Sequence, residues 1–285
     1  MDNNLVKAKG DKRVVISASY ADGKYRRFQR YNDASARRFG QVDKIYNYSS
    51  EDIDIDFKEA NADIFSIQRG SGLWLWKPYL IDKTLSKMNE GDFLIYTDAA
   101  VAFLRDINGL IDKLIISNQD IMLFDLPFIE SQWTNPSVLE SLNANIPAIT
   151  LSNQRNGAII LLKKNASTSA FVKKWLALCC DIKLLQGSNK VPDKNSLFIN
   201  HREDQSILSV LSKEEGIDSF TDPTDYGKNP FPYIHYNILF RVPKKSDTYT
   251  IDKTYFLHYR GYNIVAYFFK YKILGFLAKN LFKIK

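Results

Sequence analysis

The run Gly91-Asp92-Phe93-Leu94-Ile95-Tyr96-Thr97-Asp98 constrains the fold more than any other segment. Four apolar or aromatic residues follow a Gly-Asp turn and end near a lone carboxylate, a pattern that reads as a buried strand. A carboxylate placed there sits where ligands bind in open α/β sheets. Just upstream, Arg69-Gly70-Ser71-Gly72-Leu73-Trp74-Leu75-Trp76-Lys77-Pro78-Tyr79 holds two of the chain's four Trp and two cations within nine residues.

The flanking sequence predicts the rest of an α/β unit. Arg13 to Ser19 is a first strand, rich in β-branched residues. Tyr25 to Phe39 is an amphipathic helix ending at Gly40, and Lys44 to Tyr48 a second strand. This β-α-β opening lacks G-x-G-x-x-G and the P-loop pattern, which disfavours an ordinary dinucleotide or ATP cradle. Lys77 to Met88 is expected to be helical, entered through Pro78. The Trp74 and Trp76 pair is expected to face one side of an extended segment. Ala100 to Ile111 reads as a helix, Lys113 to Ser117 and Asp120 to Phe124 as short strands. Asn135-Pro136 opens a helix to Leu142. Asn156 to Leu162 is a turn feeding a strand, Ser167 to Leu185 a helix, and Asp204 to Leu211 the start of another.

At 285 residues, 45% of them hydrophobic, the chain can bury a substantial core. Its formal charge of +7 is unevenly placed. From Arg241 onward ten basic residues face only Asp247 and Asp252, so this tail carries +8 and residues 1–240 carry −1. That distribution argues against a nucleic-acid coat and for a local anionic partner. Cys179 and Cys180 are adjacent, which suits two small apolar side chains in a reducing cytosol. Met1 to Asn4 lead into a charged segment, so no signal peptide is expected, and no uninterrupted run of about 18 apolar residues suggests a spanning helix.

The Trp-rich segment and Tyr96-Thr97-Asp98-Ala99 resemble the donor-binding half of GT-A-fold sugar-nucleotide glycosyltransferases. The likeness is to bacterial enzymes that build capsule or O-antigen polysaccharide. Four short motifs follow in an order similar to the glycogenin-type and lipooligosaccharide galactosyltransferase families. The resemblance implies an α/β, GT-A-like single domain over residues 1–261. Its central sheet would be mixed, mostly parallel and flanked by helices.

In those families a D-x-D holds a divalent cation and the ribose. Asp98 matches its first carboxylate, while Ala100 stands in place of the second. The alternative for Asp98 is a helix N-cap. Asn156-Gly157 resembles the turn that touches the donor sugar, or is an ordinary turn. In His201-Arg202-Glu203-Asp204-Gln205-Ser206, Asp204 and Gln205 match the D-Q signature near the reacting carbon. Asp204 is then an acceptor base or a sugar-hydroxyl anchor; the alternative is a capping cluster. His258-Tyr259-Arg260-Gly261 resembles the late H-x-x-G motif, whose His ligates metal and whose basic residue meets the diphosphate. Asp98 and His258 would hold Mg²⁺ or Mn²⁺ with phosphate oxygens and waters. Without a metal, Arg260, Arg69 and Lys77 must supply the positive charge. Ser17, Ser19 and Tyr20 lie where the nucleotide base binds in such folds.

Residues 262–285 interleave Lys270, Lys272, Lys279, Lys283 and Lys285 with aromatic and aliphatic side chains and carry no acid. That is the composition of an amphipathic helix on an anionic membrane; the alternative is a helix docked on the body. The expected partners are a nucleotide-sugar donor, a glycan or lipid-linked oligosaccharide acceptor and an anionic membrane surface, with no nucleic acid. The expected place is the cytoplasm, at the inner face of the cell membrane. A non-catalytic, membrane-bound sugar-nucleotide or glycan binder is the competing expectation, kept open by Ala100.

Overall fold

A computed structural model describes residues 13–187, 197–228 and 248–259, with 239, 263, 265–270 and 272–273. The apolar runs become strands β1 (Val15–Tyr20), β2 (Lys44–Tyr48) and β3 (Phe93–Thr97). Between β1 and β2 lies α1 (Arg26–Ser35), continued by a π-helical turn over Ala36–Gly40. Helix α2 (Trp76–Leu85) precedes β3. After it come β4 (Val101–Phe103), α3 (Asn108–Ile116), β5 (Ile121–Ile129) and α4 (Pro136–Ser141). Strands β6 (Asn153–Arg155) and β7 (Ile159–Lys163) lead to α5 (Ala166–Cys179) and α6 (Ile182–Gln186). The described chain continues through α7 (Glu203–Glu214), β8 (Ser219–Thr221) and β9 (Phe256–His258).

The central sheet is mixed, in the order β2-β1-β3-β7-β5-β6, with β8 pairing β5. β1 runs parallel to β2 and β3, and β8 parallel to β5. β7 is antiparallel to both β3 and β5, and β6 to β5. Strand alternation divides the core into two layers. Ile16, Ala18, Leu94, Tyr96 and Ile160 pack with Leu80, Ile81, Trp175 and Leu208 on one face. Val15, Phe93, Ile95, Ile159 and Leu161 pack with Leu110, Ile111, Leu114 and Phe256 on the other. Both faces being covered explains why these strands read as nearly continuous apolar runs.

Several local expectations change. Val101, Ala102 and Phe103 are not helical: they pair antiparallel with Phe256–His258 in a separate two-stranded sheet. The helix begins only at Asn108, whose backbone N–H is held by Asp106 Oδ1 at 2.9 Å. Residues 113–116 are its last turn and not a strand. Leu110, Ile111 and Leu114 are buried, whereas Ile115 and Ile116 are 50% and 83% exposed, the spacing of a helix. The β-branched pair in Leu114-Ile115-Ile116 misled propensity here. The expected helix Ser167–Leu185 is two helices, broken where Asp181 caps α6 by accepting the Lys183 N–H at 2.8 Å. Asn135 caps α4 with Pro136 in its first turn, as expected.

The Trp-rich segment is not extended. Gly70, Ser71, Gly72, Leu73 and Trp74 all have positive φ, between 52° and 92°, forming a left-handed turn that leads into α2. Arg260 and Gly261 lie outside the described residues, as does most of 262–285. Among the described residues no helix is long and apolar enough to cross a membrane.

Candidate active site

Four segments meet at the carboxyl end of β3. The strand delivers Asp98, the first residue beyond it. The turn Asn156–Ala158 arrives beside Asp98 because β7 runs antiparallel to β3 and begins where β3 ends. The Asp98 N–H donates to the Ala158 carbonyl at 2.8 Å, locking the two turns together. The first turns of α2 and α7 supply Lys77 and Asp204.

Lys77 is the hub. Its ammonium lies 2.9 Å from Asp204 Oδ2, 3.7 Å from Asp98 Oδ1 and donates to the Gly157 carbonyl at 3.1 Å. The Tyr96 and Trp76 rings wall it at 5.7 and 6.0 Å. Side-chain exposure is 5% for Lys77 and 4% for Asp204, against 35% for Asp98. Asp98 is therefore the member that opens to solvent, while Asp204 is sealed behind it. Tyr96 Oη, also buried, donates to Asp98 Oδ1 at 3.1 Å.

Burial pushes the Asp204 carboxyl up to about 6, against the pull of Lys77. Burial alone would depress Lys77, but Asp204 and then Asp98 outweigh it and the ammonium ends above its usual range. Lys77 is thus a fixed cation near neutral pH, and Asp204 is the group whose charge changes within the physiological window. With both carboxylates ionised the trio carries a net −1. Such a cluster accepts hydroxyl groups better than it holds a diphosphate.

Gln205 is oriented by two hydrogen bonds. Its Oε1 accepts the Gly157 N–H at 3.0 Å and its Nε2 donates to Gln154 Oε1 at 2.9 Å. The carbonyl oxygen is therefore already engaged with the backbone. Gly157 is needed for this approach, since a Cβ there would lie 3.0 Å from Gln205 Cβ and 3.3 Å from its Cγ. Gly157→Ala is expected to destabilise the fold by about 1–3 kcal/mol by forcing α7 outward. Denaturant unfolding and steady-state kinetics on the same preparation check this, with turnover falling alongside.

The start of α7 is held rigidly. Trp175 Nε1 donates to the Asp204 carbonyl at 3.0 Å. His201 accepts the Asn135 N–H on Nδ1 at 3.2 Å and meets the Leu184 carbonyl through Nε2 at 3.1 Å, which sets the Nε2–H tautomer. Its burial pushes it down to about 4, so it is a neutral bracket. Glu203 has φ 39°, a left-handed value that costs a non-glycine residue on the order of 1 kcal/mol. It forms an ion pair with Arg69 at 2.6 Å, and Arg69 lies 5.5 Å over Trp74. Two strained segments, Ser71–Trp74 and Glu203, are therefore tied across the site, a placement typical of backbone held for a ligand.

Tyr20, at the end of β1, stacks on Trp76 at 3.8 Å and 19°, and its hydroxyl donates to Asp22. Ser17 and Ser19 alternate with Ile16, Ala18 and Tyr20 and so point to the opposite sheet face. They are 1% and 2% exposed, and their hydroxyls have no hydrogen-bond partner. Asn156 turns its Oδ1 back onto the Ala158 N–H at 2.8 Å, fixing its own turn. The structure thus joins Lys77, Asp98, Gly157, Asp204 and Gln205 directly. Arg69 joins them at the rim through Glu203, and Ser17 and Ser19 do not.

His258 sits on β9 opposite Val101, its ring stacked on Tyr226 at 5.2 Å and its backbone N–H donating to Asp225 Oδ1 at 2.8 Å. The donor set does not fit a resident Mg²⁺ or Mn²⁺. Asp98 offers one carboxylate, already accepting from Tyr96 and facing the Lys77 ammonium, and Ala100 removes the second. Among the described residues no group of three His, Cys, Asp or Glu side chains is placed to hold a metal.

Sequence reasoning passed over Tyr96, Gln154 and Glu203 as functional groups. Tyr96 and Glu203 stand beside residues that were singled out. Gln154 carries no motif and is exposed as a partner only by the pairing of β6 with β5 beside α7.

This architecture is the GT-A glycosyltransferase fold. The structure is similar to galactosyltransferase LgtC in complex with donor and acceptor sugar analogs, at a TM-score of 0.50 and 14% identity, covering 91% of this chain and 95% of that one. It is also similar to apo mouse xyloside xylosyltransferase 1, at 0.45 and 10%, covering 87% and 98%. A third likeness is to glycosyltransferase GlyE of Streptococcus pneumoniae, at 0.47 and 13%, covering 92% and 61%. Neither the family models nor the curated sequences match this chain.

Proposed function

We propose that this chain transfers a hexose from a nucleotide-sugar, most simply a UDP-sugar, to a growing surface glycan or lipid-linked oligosaccharide. The observation that carries this reading is the meeting of Lys77, Asp98, Gly157 and Asp204 at one sheet edge. In this reading Asp98, at the open face, accepts ribose or sugar hydroxyls. Asp204, sealed behind it and ionised above about pH 6, holds the Lys77 ammonium in place beside the donor sugar. The Gly157 turn lets the backbone approach the sugar, and the bound Gln205 amide supports that turn. Arg69 and Arg260 are assigned to the diphosphate, whose developing negative charge needs forked cationic donors. Tyr20 on its Trp76 platform is assigned to the base.

The Mg²⁺ or Mn²⁺ that the sequence resemblance implies has no place in this proposal, because the residues present do not make its cage. Donor turnover in EDTA is expected to stay within about twofold of that with added Mg²⁺, against the large loss when a catalytic metal is stripped. The purified chain alone is expected to leave the free-Mn²⁺ resonance signal unchanged.

The deciding experiment is a panel of UDP-, GDP- and CMP-sugars followed by nucleotide release, with Asp98→Ala alongside the parent chain. The proposal expects one donor to be turned over and the variant to be slowed by on the order of a hundredfold. Binding without turnover of any donor, with or without acceptor glycan, would instead make the chain a sugar-nucleotide binder.

A further inference from the structure

The first helix carries a feature that the donor site does not use. Around α1, Lys24, Arg26, Arg27, Arg30, Arg37 and Arg38 are all exposed. Helical spacing places Arg26, Arg27 and Arg30 with Tyr31 on one arc of roughly 140°, interrupted only by Ala34, and Arg37 and Arg38 follow in the next turn. The opposite arc is buried through Phe28, Gln29, Asn32, Ser35 and Ala36. Asp33 is the one acid between Lys24 and Gly40, and it is half-buried and bonded to Asn47. None of the six cations forms an ion pair among the described residues.

A merely solvated helix face usually mixes acids and bases at i, i+4. Here Arg26 faces Arg30 at that spacing, a repulsive pair, while Arg37 has the half-buried Asp33 four residues before it. The body outside the tail carries −1, so six of its cations gathered on and around one helix is a local arrangement and not a consequence of composition. Aromatic side chains border the stripe: Tyr25, Tyr31 and Phe39 are 53%, 52% and 50% exposed. Arginines interleaved with exposed aromatics suit a lipid interface, where stems and rings enter the headgroup layer while charges meet phosphates.

The C-terminal helical stretch packs on the opposite, buried side of the same helix. Phe28, on the buried side of α1, packs edge-on to Tyr259 at 5.7 Å and shares a cluster with Tyr267 and Phe268. Tyr267 is tied to the body by its hydroxyl, which donates to Asp225 Oδ2 at 2.9 Å. Val265 and Phe269 are 59% and 61% exposed. We infer that the arginine face of α1 is a docking surface for the anionic phospholipid headgroups of a membrane. Such a contact, made by a structured element, fixes which side of the fold faces the bilayer. The inference rests on the membrane-acceptor part of the proposed function, but not on turnover.

The test is vesicle flotation of the full chain with phosphatidylcholine alone and with equimolar phosphatidylcholine and phosphatidylglycerol, over a salt series. The parent chain is expected to float only with the anionic vesicles and to release as salt rises. R27E/R30E/R38E is expected to lower partitioning by more than the roughly fivefold per residue, on the order of a hundredfold in all, expected for loss of the three positive charges alone. R27Q/R30Q/R38Q, with circular dichroism and thermal melting on both variants, separates lost charge from lost fold. Nucleotide release from a soluble donor should be unchanged in both, because none of the three residues lies in the site. Parent-like flotation of the folded triple variants would overturn the inference, leaving any membrane contact to the tail. So would an absence of parent flotation, or tighter binding to an oligonucleotide than to anionic vesicles at matched salt. Absent donor turnover with flotation as expected would sink the transferase reading alone.

Discussion

Lys77→Met is expected to be among the most destabilising single changes in this fold, at about 3–5 kcal/mol near neutral pH. The ammonium is buried and serves Asp204, Asp98 and the Gly157 carbonyl together. Removing it leaves Asp204 sealed at 4% side-chain exposure without a counter-charge. The carboxyl has one escape, which is to take up a proton. Burial already holds it at about 6 with Lys77 present, and loss of the lysine moves it further up.

The sign of the pH dependence follows. An acid whose folded pKa is raised above its unfolded value contributes stability that is fully present below the unfolded pKa. That contribution is lost as pH rises through the folded pKa. The Lys77→Met defect should therefore be small at about pH 5 and near its full size at about pH 8. Adding Asp204→Asn should recover much of the loss at the higher pH, because the pair is then replaced by neutral groups. Urea unfolding of the parent, the single and the double variant at both pH values measures all of this. A defect equal at both would mean that lost packing of the lysine stem, and not the stranded carboxylate, dominates.

What could be read from the chain beforehand divides along a physical line. The strands β1, β2 and β3 were legible because each is a short apolar run with clear ends. Caps such as Asn135-Pro136 were legible because their chemistry is local. The site residues Asp98, Gly157, Asp204 and Gln205 stood in short motifs, so their types and order could be read. Lys77 as their common partner could not, since the contact exists only once α2 and α7 are packed against the same sheet edge. The left-handed turn Gly70–Trp74 was missed because three of its five residues are not glycine, and nothing local predicts positive φ for Leu73 or Trp74. β4 was missed because its partner strand, β9, is supplied by residues far along the chain. The break at Asp181 was missed because an apolar stripe continues across it.

The second large effect concerns turnover. Asp204→Asn keeps the side chain's size and removes its charge, and it is expected to lower donor turnover by about 10²–10⁴-fold. The parent enzyme should show a falling acid limb with a midpoint near 6, where Asp204 takes up its proton. Below that midpoint the neutral acid no longer completes the pair with Lys77, and the ammonium beside Asp98 loses its fixed position. The residual rate of the Asn variant should lack the limb.

Two other buried acids titrate in the same range, Asp222 at about 7 and Asp225 at about 6, both raised chiefly by burial. They bind Thr224, the His258 backbone and Tyr267, away from Lys77. Asp225→Asn is therefore the control, because it should alter stability while leaving the acid limb of the rate in place. A limb that vanishes in Asp225→Asn and survives in Asp204→Asn would move the proton that governs turnover away from the Lys77 pair. The assignment of Asp204 to turnover would then fall, while its ion pair with Lys77 at the start of α7 would remain.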